Sequence, residues 1–234
     1  MYDLYRDKSV LVTGASSGLG RSIAIAFSNY CKQVILLGRE EKKLDQTKQL
    51  CNNDCRIETY SIDLCDDNQI DKLFEAYGDQ VDILINCAGI FPLKNIENTS
   101  LQEYDECMTI NVRAPFMMCK EFSNTMNKKG WGRIVNVGSS SSYSGSGDTG
   151  LYCTSKHALL GLTRSLFLEL RNTGVRVSFL SPGSIQTPMG ETDKRQDFTT
   201  FIRPEEIADY LLHSLSYDAE MVSDEIRLNR AIIR

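Results

Sequence analysis

Apolar positions along this chain come in two rhythms that alternate from end to end. Short aliphatic or β-branched runs fall at Ser9-Val-Leu-Val-Thr13, Gln33–Leu37, Arg56–Ser61, Val81–Ile85, Gly132–Val137, Val175–Leu180 and Glu225–Asn229. Runs of this length predict strands, and the unbroken apolar stretch at 81–85 suits a strand buried on both faces. Between them the apolar residues take helical spacing: Ile23, Ala24 and Phe27 after the first run, then 40–51, 67–77, 101–126, 158–170 and 204–215. Pro204 opens the last of these, where a missing N–H costs nothing. Pro115 falls inside 101–126 and predicts a kink there, because its ring crowds the preceding turn. Strand and helix in strict alternation predict an α/β fold: one doubly wound Rossmann-type domain, with a parallel sheet of about seven strands and helices on both faces. No repeat beyond that alternation and no linker divides residues 1–234.

Composition narrows the class. The 234 residues carry 26 Lys+Arg against 31 Asp+Glu, a net charge of −5, with no basic run, so no nucleic-acid partner is expected. No apolar run approaches membrane-spanning length and Met1–Lys8 has no signal core, so no membrane partner and a cytoplasmic location are expected. Eight cysteines include no Cys-x-x-Cys pair, and there are only two histidines, which argues against a metal site and for reduced thiols. His157 and His213 carry no role that the sequence supports.

The first strand run opens into Thr13-Gly-Ala-Ser-Ser-Gly-Leu-Gly20 and then a helix. Glycines let backbone approach a pyrophosphate, and the following helix start offers it free N–H groups; this is the setting of a dinucleotide site. The spacing is Gly-x-x-x-Gly-x-Gly. The second strand ends at Gly38-Arg39, where a cofactor's ribose is read. A guanidinium suits a 2′-phosphate, which favours NADP; NAD remains possible if Glu40 accepts from a 2′-hydroxyl instead.

Tyr152-Cys-Thr-Ser-Lys156 precedes the apolar-periodic segment 158–170. Residues four apart on a helix share a face, so a phenol and an ammonium are held side by side, and a neighbouring cation favours the phenolate. Such a tyrosine can exchange a proton with a substrate oxygen. Asn86-Cys-Ala-Gly89 ends the fourth strand in small residues. The Gly/Ser-rich run 138–147 follows the fifth strand as a site loop, with Ser139 at its mouth. Asn111, polar between Ile110 and Val112, must have its amide satisfied if it is buried. Ile90, Phe91, Leu93 and Met189 suggest an apolar pocket wall, and the polar stretch 190–201 a mobile lid.

Taken together these motifs resemble, over essentially the whole chain, the classical short-chain dehydrogenase/reductase family. The resemblance implies a cofactor half at 1–135 and a catalytic and substrate half at 136–234. It implies catalytic roles for Asn111, Ser139, Tyr152 and Lys156. It implies cofactor contacts from Gly14, Ser16, Ser17, Gly18, Leu19, Gly20, Arg39, Asp63, Leu64, Asn86, Ala88, Gly89, Tyr152 and Lys156, and from Pro182, Gly183, Ile185 and Thr187 over the nicotinamide. In the implied mechanism Tyr152 gives a proton to the oxygen of a small carbonyl substrate, or takes one from an alcohol. Ser139 orients that oxygen, Lys156 lowers the Tyr152 pKa and holds the ribose, and Asn111 holds a water leading to solvent. A non-catalytic cofactor sensor on the same fold is the alternative. Cys87 and Gly138 depart from the family's usual residues, and the C-terminus lacks the glycine-rich ending of its ketoacyl reductases. Apolar residues on more than one helix side (Phe116, Met117, Met118; Leu159, Leu160, Leu162, Leu166, Phe167) lead us to expect a homodimer, or a homotetramer if Ala231–Arg234 also packs across subunits.

Overall fold

Seven strands make one parallel sheet in the computed structural model, which describes residues 2–231. They are β1 (Ser9–Thr13), β2 (Gln33–Gly38), β3 (Arg56–Ser61), β4 (Ile83–Asn86), β5 (Gly132–Val137), β6 (Val175–Pro182) and β7 (Glu225–Leu228), in the order β3-β2-β1-β4-β5-β6-β7. The helices are α1 (Gly18–Ser28), α2 (Glu41–Leu50), α3 (Asp67–Tyr77), α4 (Leu101–Met108), α5 (Ala114–Lys129), α6 (Gly150–Leu170) and α7 (Pro204–Leu215).

The middles of the central strands are apolar on both faces because alternate side chains enter two different cores. Val10, Val12, Val34, Leu36, Ile83 and Ile85 meet Ile23 and Phe27 of α1 and Leu211 of α7. Their neighbours Leu11, Ile35, Leu37 and Leu84 meet Leu73 of α3, Met118 and Phe122 of α5 and Leu166 of α6 on the opposite face. Each fully buried Leu or Ile contributes roughly 1.5–3 kcal/mol. The strand order reverses between β1 and β4, so the loops after these two strands diverge and leave a crevice at their C-terminal ends, as open α/β sheets do.

Several expected boundaries move. The single helix over 101–126 is two helices, α4 and α5, joined by a π-helical turn at Thr109–Arg113. Pro115 lies just inside α5, and the break falls ahead of it; the Ala114 N–H reaches back to the Thr109 carbonyl, an i→i+5 bond. The helix over 158–170 starts at Gly150, so Tyr152 lies in its first turn and not before it. β4 starts at Ile83, with the Asp82 carboxylate accepting from the Ser9 amide at 3.0 Å. The stretch 190–201 is folded, with short 3-10 turns at Gly190–Thr192 and Phe198–Thr200, and Asp193 buried.

Most of the apolar surplus assigned to an interface is used inside the chain. Met118, Leu159, Leu160 and Leu166 are buried, the leucines at 159 and 160 against Phe179. Phe116, by contrast, is 51% exposed. Of the expected C-terminal contact, Ile232–Arg234 lie outside the described residues. No described helix is long and apolar enough to cross a membrane.

Candidate active site

The loops after β1, β2, β3, β4, β5 and β6 surround one cleft of about 860 Å³. Its floor is built by the turn from β1 into α1. Gly14 has φ +70°, and a Cβ there would stand 2.9 Å from the Ala88 Cα, so backbone crosses backbone at this point. Thr13 fixes the crossing: its hydroxyl oxygen accepts from the amides of Cys87 and Ala88, each at 2.9 Å. Ser16, Ser17, Gly18, Leu19 and Gly20 line the cleft beside Gly14. Ser17 caps α1 in an extended conformation without a side-chain hydrogen bond to the helix. The first N–H groups of α1 therefore have no side-chain partner, and a helix start of this kind attracts phosphate.

At one end of the cleft stand Arg39 and Glu40 after β2, and Asp63 and Leu64 after β3. Lys43 holds the Glu40 carboxylate at 2.6 Å. Gly38 keeps the chain close to Ser16, so Arg39 projects at the rim of the same cavity. Ala88 and Gly89 lie in the middle, and Pro182, Gly183, Ile185 and Thr187 cover the far side.

The opposite wall is β5 and α6. Tyr152 and Lys156, one helical turn apart, are 8% and 5% exposed, and the Lys156 Nζ is 5.7 Å from the Tyr152 ring centre. The Phe91 ring meets that of Tyr152 edge-on, with centroids 4.7 Å apart. Ser139 follows β5, and its hydroxyl oxygen accepts from the Ser141 amide at 3.1 Å. Gly138 precedes it because the Phe179 ring fills the space: a Cβ there would stand 1.9 Å from Cζ. The departure at 138 thus has a packing cause.

Electrostatics correct one expectation. Burial pushes the Tyr152 phenol up to about 12, against a lowering influence from the Ser139 hydroxyl. Burial also pushes the Lys156 ammonium down to about 8. Spacing led us to expect a phenol moved toward neutral pH by Lys156; in the chain alone burial is the largest influence on each group and disfavours the charged form of both. The lysine donates instead to the Val137 carbonyl at 2.9 Å.

Two further expected site residues turn away from the cleft. The Asn86 amide nitrogen donates to Asn136 Oδ1 at 2.8 Å, and Asn86 is buried between strands. It was expected to touch the cofactor; its side chain ties β4 to β5 instead. Asn111 Oδ1 accepts from the Ile90 amide at 2.9 Å, while its Nδ2 donates to the Ile90 carbonyl and to Ser155 Oγ, both at 3.0 Å. Its side chain thus fixes the β4 loop to α6, with both amide hydrogens engaged. Pro115 has no N–H, so the Asn111 carbonyl, four residues back, has no α-helical donor.

Sequence reasoning passed over Thr13, Asn136, Ser155 and Arg230. Thr13 and Ser155 sit inside quoted motifs, where a hydroxyl flanked by a glycine or by the Tyr/Lys pair was the available signal. Asn136, within an apolar strand, was a buried amide in need of partners. Arg230 carried no local signal.

The short chain dehydrogenase family profile matches residues 8–197. An uncharacterized oxidoreductase of Thermotoga maritima is 37% identical over 186 residues, covering 78% of this chain and 74% of that protein. The 3-oxoacyl-(acyl-carrier-protein) reductase of Aquifex aeolicus is 31% identical over 233 residues, 94% of each. Among solved structures, a putative NAD(P) dependent gluconate 5-dehydrogenase from Beutenbergia cavernae with bound NADP superposes with a TM-score of 0.85 at 28% identity, covering 97% of this chain and 96% of the other. A putative short chain dehydrogenase from Shigella flexneri complexed with NADP gives 0.88 at 27% identity, covering 98% and 99%. With a crevice at the β1/β4 switch point, a Tyr/Lys pair on α6 and relatives of this kind along nearly its whole length, the chain belongs to the short-chain dehydrogenase/reductase family of oxidoreductases.

Proposed function

We propose that this protein is an NADP-preferring reductase or dehydrogenase acting between a carbonyl and a secondary alcohol, with Tyr152 as the acid and base. One observation carries the reading: a single cleft joins the uncovered start of α1 and Arg39 to a wall bearing Ser139, Tyr152 and Lys156. The residues suit a dinucleotide. Gly14 leaves no side chain between β1 and Ala88, the α1 N–H groups would hold a pyrophosphate and Arg39 a 2′-phosphate, while Glu40 is engaged by Lys43. Bound nicotinamide supplies or accepts the hydride.

The chain's own residues do the rest. Tyr152, a phenol at neutral pH, holds the proton that the carbonyl oxygen needs as it gains negative charge. Ser139 presents its O–H to the same oxygen, because its own oxygen is oriented by the Ser141 amide. Lys156 keeps a positive charge beneath the phenol below about pH 8 and stabilises the tyrosinate as the proton leaves. Asn111 acts by position, clamping Ile90 and Ser155 so that Tyr152 and Lys156 face the cleft. Loss of absorbance from NADPH and from NADH, followed with a panel of ketones and aldehydes, tests the reading. Faster turnover at lower KM with NADPH is expected; no oxidation of either cofactor by any carbonyl in a broad panel would overturn it.

A further inference from the structure

Four cationic side chains line the cleft: Arg39, Lys156, Arg195 and Arg230. Arg39 stands at the α1 end and Lys156 under Tyr152. Arg195 is neutralised by Asp193, which accepts from its Nε at 2.7 Å and its Nη2 at 3.0 Å. Arg230 is different. Its Nη1 donates to Thr200 Oγ1 at 3.1 Å and its Nη2 to Gln196 Oε1 at 2.6 Å, both neutral oxygens. Its guanidinium carbon lies 5.0 Å over the Phe201 ring. Gln196 also donates to Asp193 Oδ2 at 2.9 Å, and Asp148 lies 3.6 Å from Arg195 Nη1, so both carboxylates of this wall are turned to Arg195 and neither to Arg230. A guanidinium has five N–H donors in a rigid fork. Two of those on Arg230 fix it in place, and the others remain for a ligand.

Topology says which ligand. Arg39 follows β2, Ser139 follows β5 and Arg230 follows β7. In the order β2-β1-β4-β5-β6-β7, the reacting oxygen on Ser139 and Tyr152 lies between the two arginines. With strands about 4.8 Å apart, Arg230 is on the order of 10 Å beyond the catalytic wall, on the side away from Arg39. The Arg230 backbone lies beside Gly183, at the end of the cleft assigned to the nicotinamide, where the reacting substrate would sit.

Resting on the oxidoreductase reading above, we infer that Arg230 receives the carboxylate of the substrate, and that the natural substrate is an oxo acid, or the hydroxy acid derived from it, with the two groups separated by a short carbon chain. Arg230 is a binding and specificity residue, distant from the transferred hydride. A planar carboxylate matches the guanidinium fork, and a charged hydrogen bond at a half-buried site discriminates strongly against an uncharged isostere.

The test compares levulinate and its longer homologues, each against its primary amide, using wild-type enzyme with NADPH. The acid is expected to exceed the amide in kcat/KM by roughly ten-fold or more at the best chain length. Arg230→Met should remove that preference by raising KM for the acid, with kcat and amide kinetics little changed, and Arg230→Lys should restore part of it. Equal values for acid and amide in the wild type, or an equal loss for both in Arg230→Met, would overturn the inference. A second measurement is independent of turnover: calorimetric binding of the same acids and amides to NADPH-loaded Tyr152→Phe protein, with and without Arg230→Met. If no panel member is reduced, the activity reading fails, and the binding preference still decides the role of Arg230. Acid and amide binding alike there would refute it.

Discussion

The Lys156 ammonium lies 5.7 Å from the centre of the Tyr152 ring yet gives its hydrogen bond to the Val137 carbonyl. The pair is held together by helix geometry and tied to β5 by that bond. Removing the phenolic oxygen while keeping the ring, as in Tyr152→Phe, leaves the Phe91 ring a partner and deletes the proposed proton donor. Turnover is expected to fall by roughly 10²–10⁴, with cofactor affinity nearly unchanged. Steady-state kinetics and fluorescence titration of NADPH check this together. Ser139→Ala should cost less, because Ser140 and Ser141 also line the cleft.

Lys156 is costly to the unliganded fold. Its folded pKa, about 8, lies below the ordinary 10.5, because burial disfavours the charge. A depressed lysine pKa means that the unfolded chain binds more protons between those values, so stability rises with pH across that window. Lys156→Met should remove this penalty and raise Tm near neutral pH by a few °C, a gain of about 0.5–2 kcal/mol, while abolishing activity. The Tm gap between mutant and wild type should narrow as pH rises toward 10.5. A gap that widens would contradict the assignment.

On the NADP reading, Arg39→Asp would exchange a phosphate partner for a 2′-hydroxyl acceptor. A charged hydrogen bond to phosphate contributes on the order of 1.5–3 kcal/mol. The ratio of kcat/KM for NADPH over NADH should therefore fall by about ten-fold or more, with Tm unchanged, as measured by parallel kinetics with both cofactors.

Asn86→Ala separates the structural role of this amide from a cofactor role. It leaves Asn136 Oδ1 short of its closest donor inside the sheet. A loss of about 1–3 kcal/mol in stability is expected, with KM for NADPH little altered. Denaturant unfolding and kinetics on the same preparation provide the comparison.

Phe116, 51% exposed on α5, borders a shallow groove with Met108, Val112 and Leu162. We expect a dimer that covers this face. Light scattering at micromolar concentration should give twice the 26.4 kDa chain mass, and Phe116→Lys should shift it toward one chain. A wild-type monomer would rule the dimer out.

The amino-acid sequence by itself determined the order of elements, since period-two and period-3.6 patterns are local properties of the chain. It also determined the cleft-lining groups near each motif: Gly14 to Gly20, Arg39, Asp63, Ser139, and Tyr152 with Lys156, because each sits at a strand end or on one helical turn. What only the tertiary structure decided depends on distant partners. Asn86 faces Asn136 fifty residues away, so its side chain leaves the cofactor side. Asn111 is taken up by Ile90 and Ser155. Met118, Leu159, Leu160 and Leu166, apolar enough to suggest an interface, find burial inside the chain. Spacing alone also could not show how far burial shifts Tyr152 and Lys156, since desolvation is set by everything packed around them. Arg230 has no motif; its meaning arises only when β7 is laid two strands beyond β5 and its side chain meets neutral oxygens at the cleft.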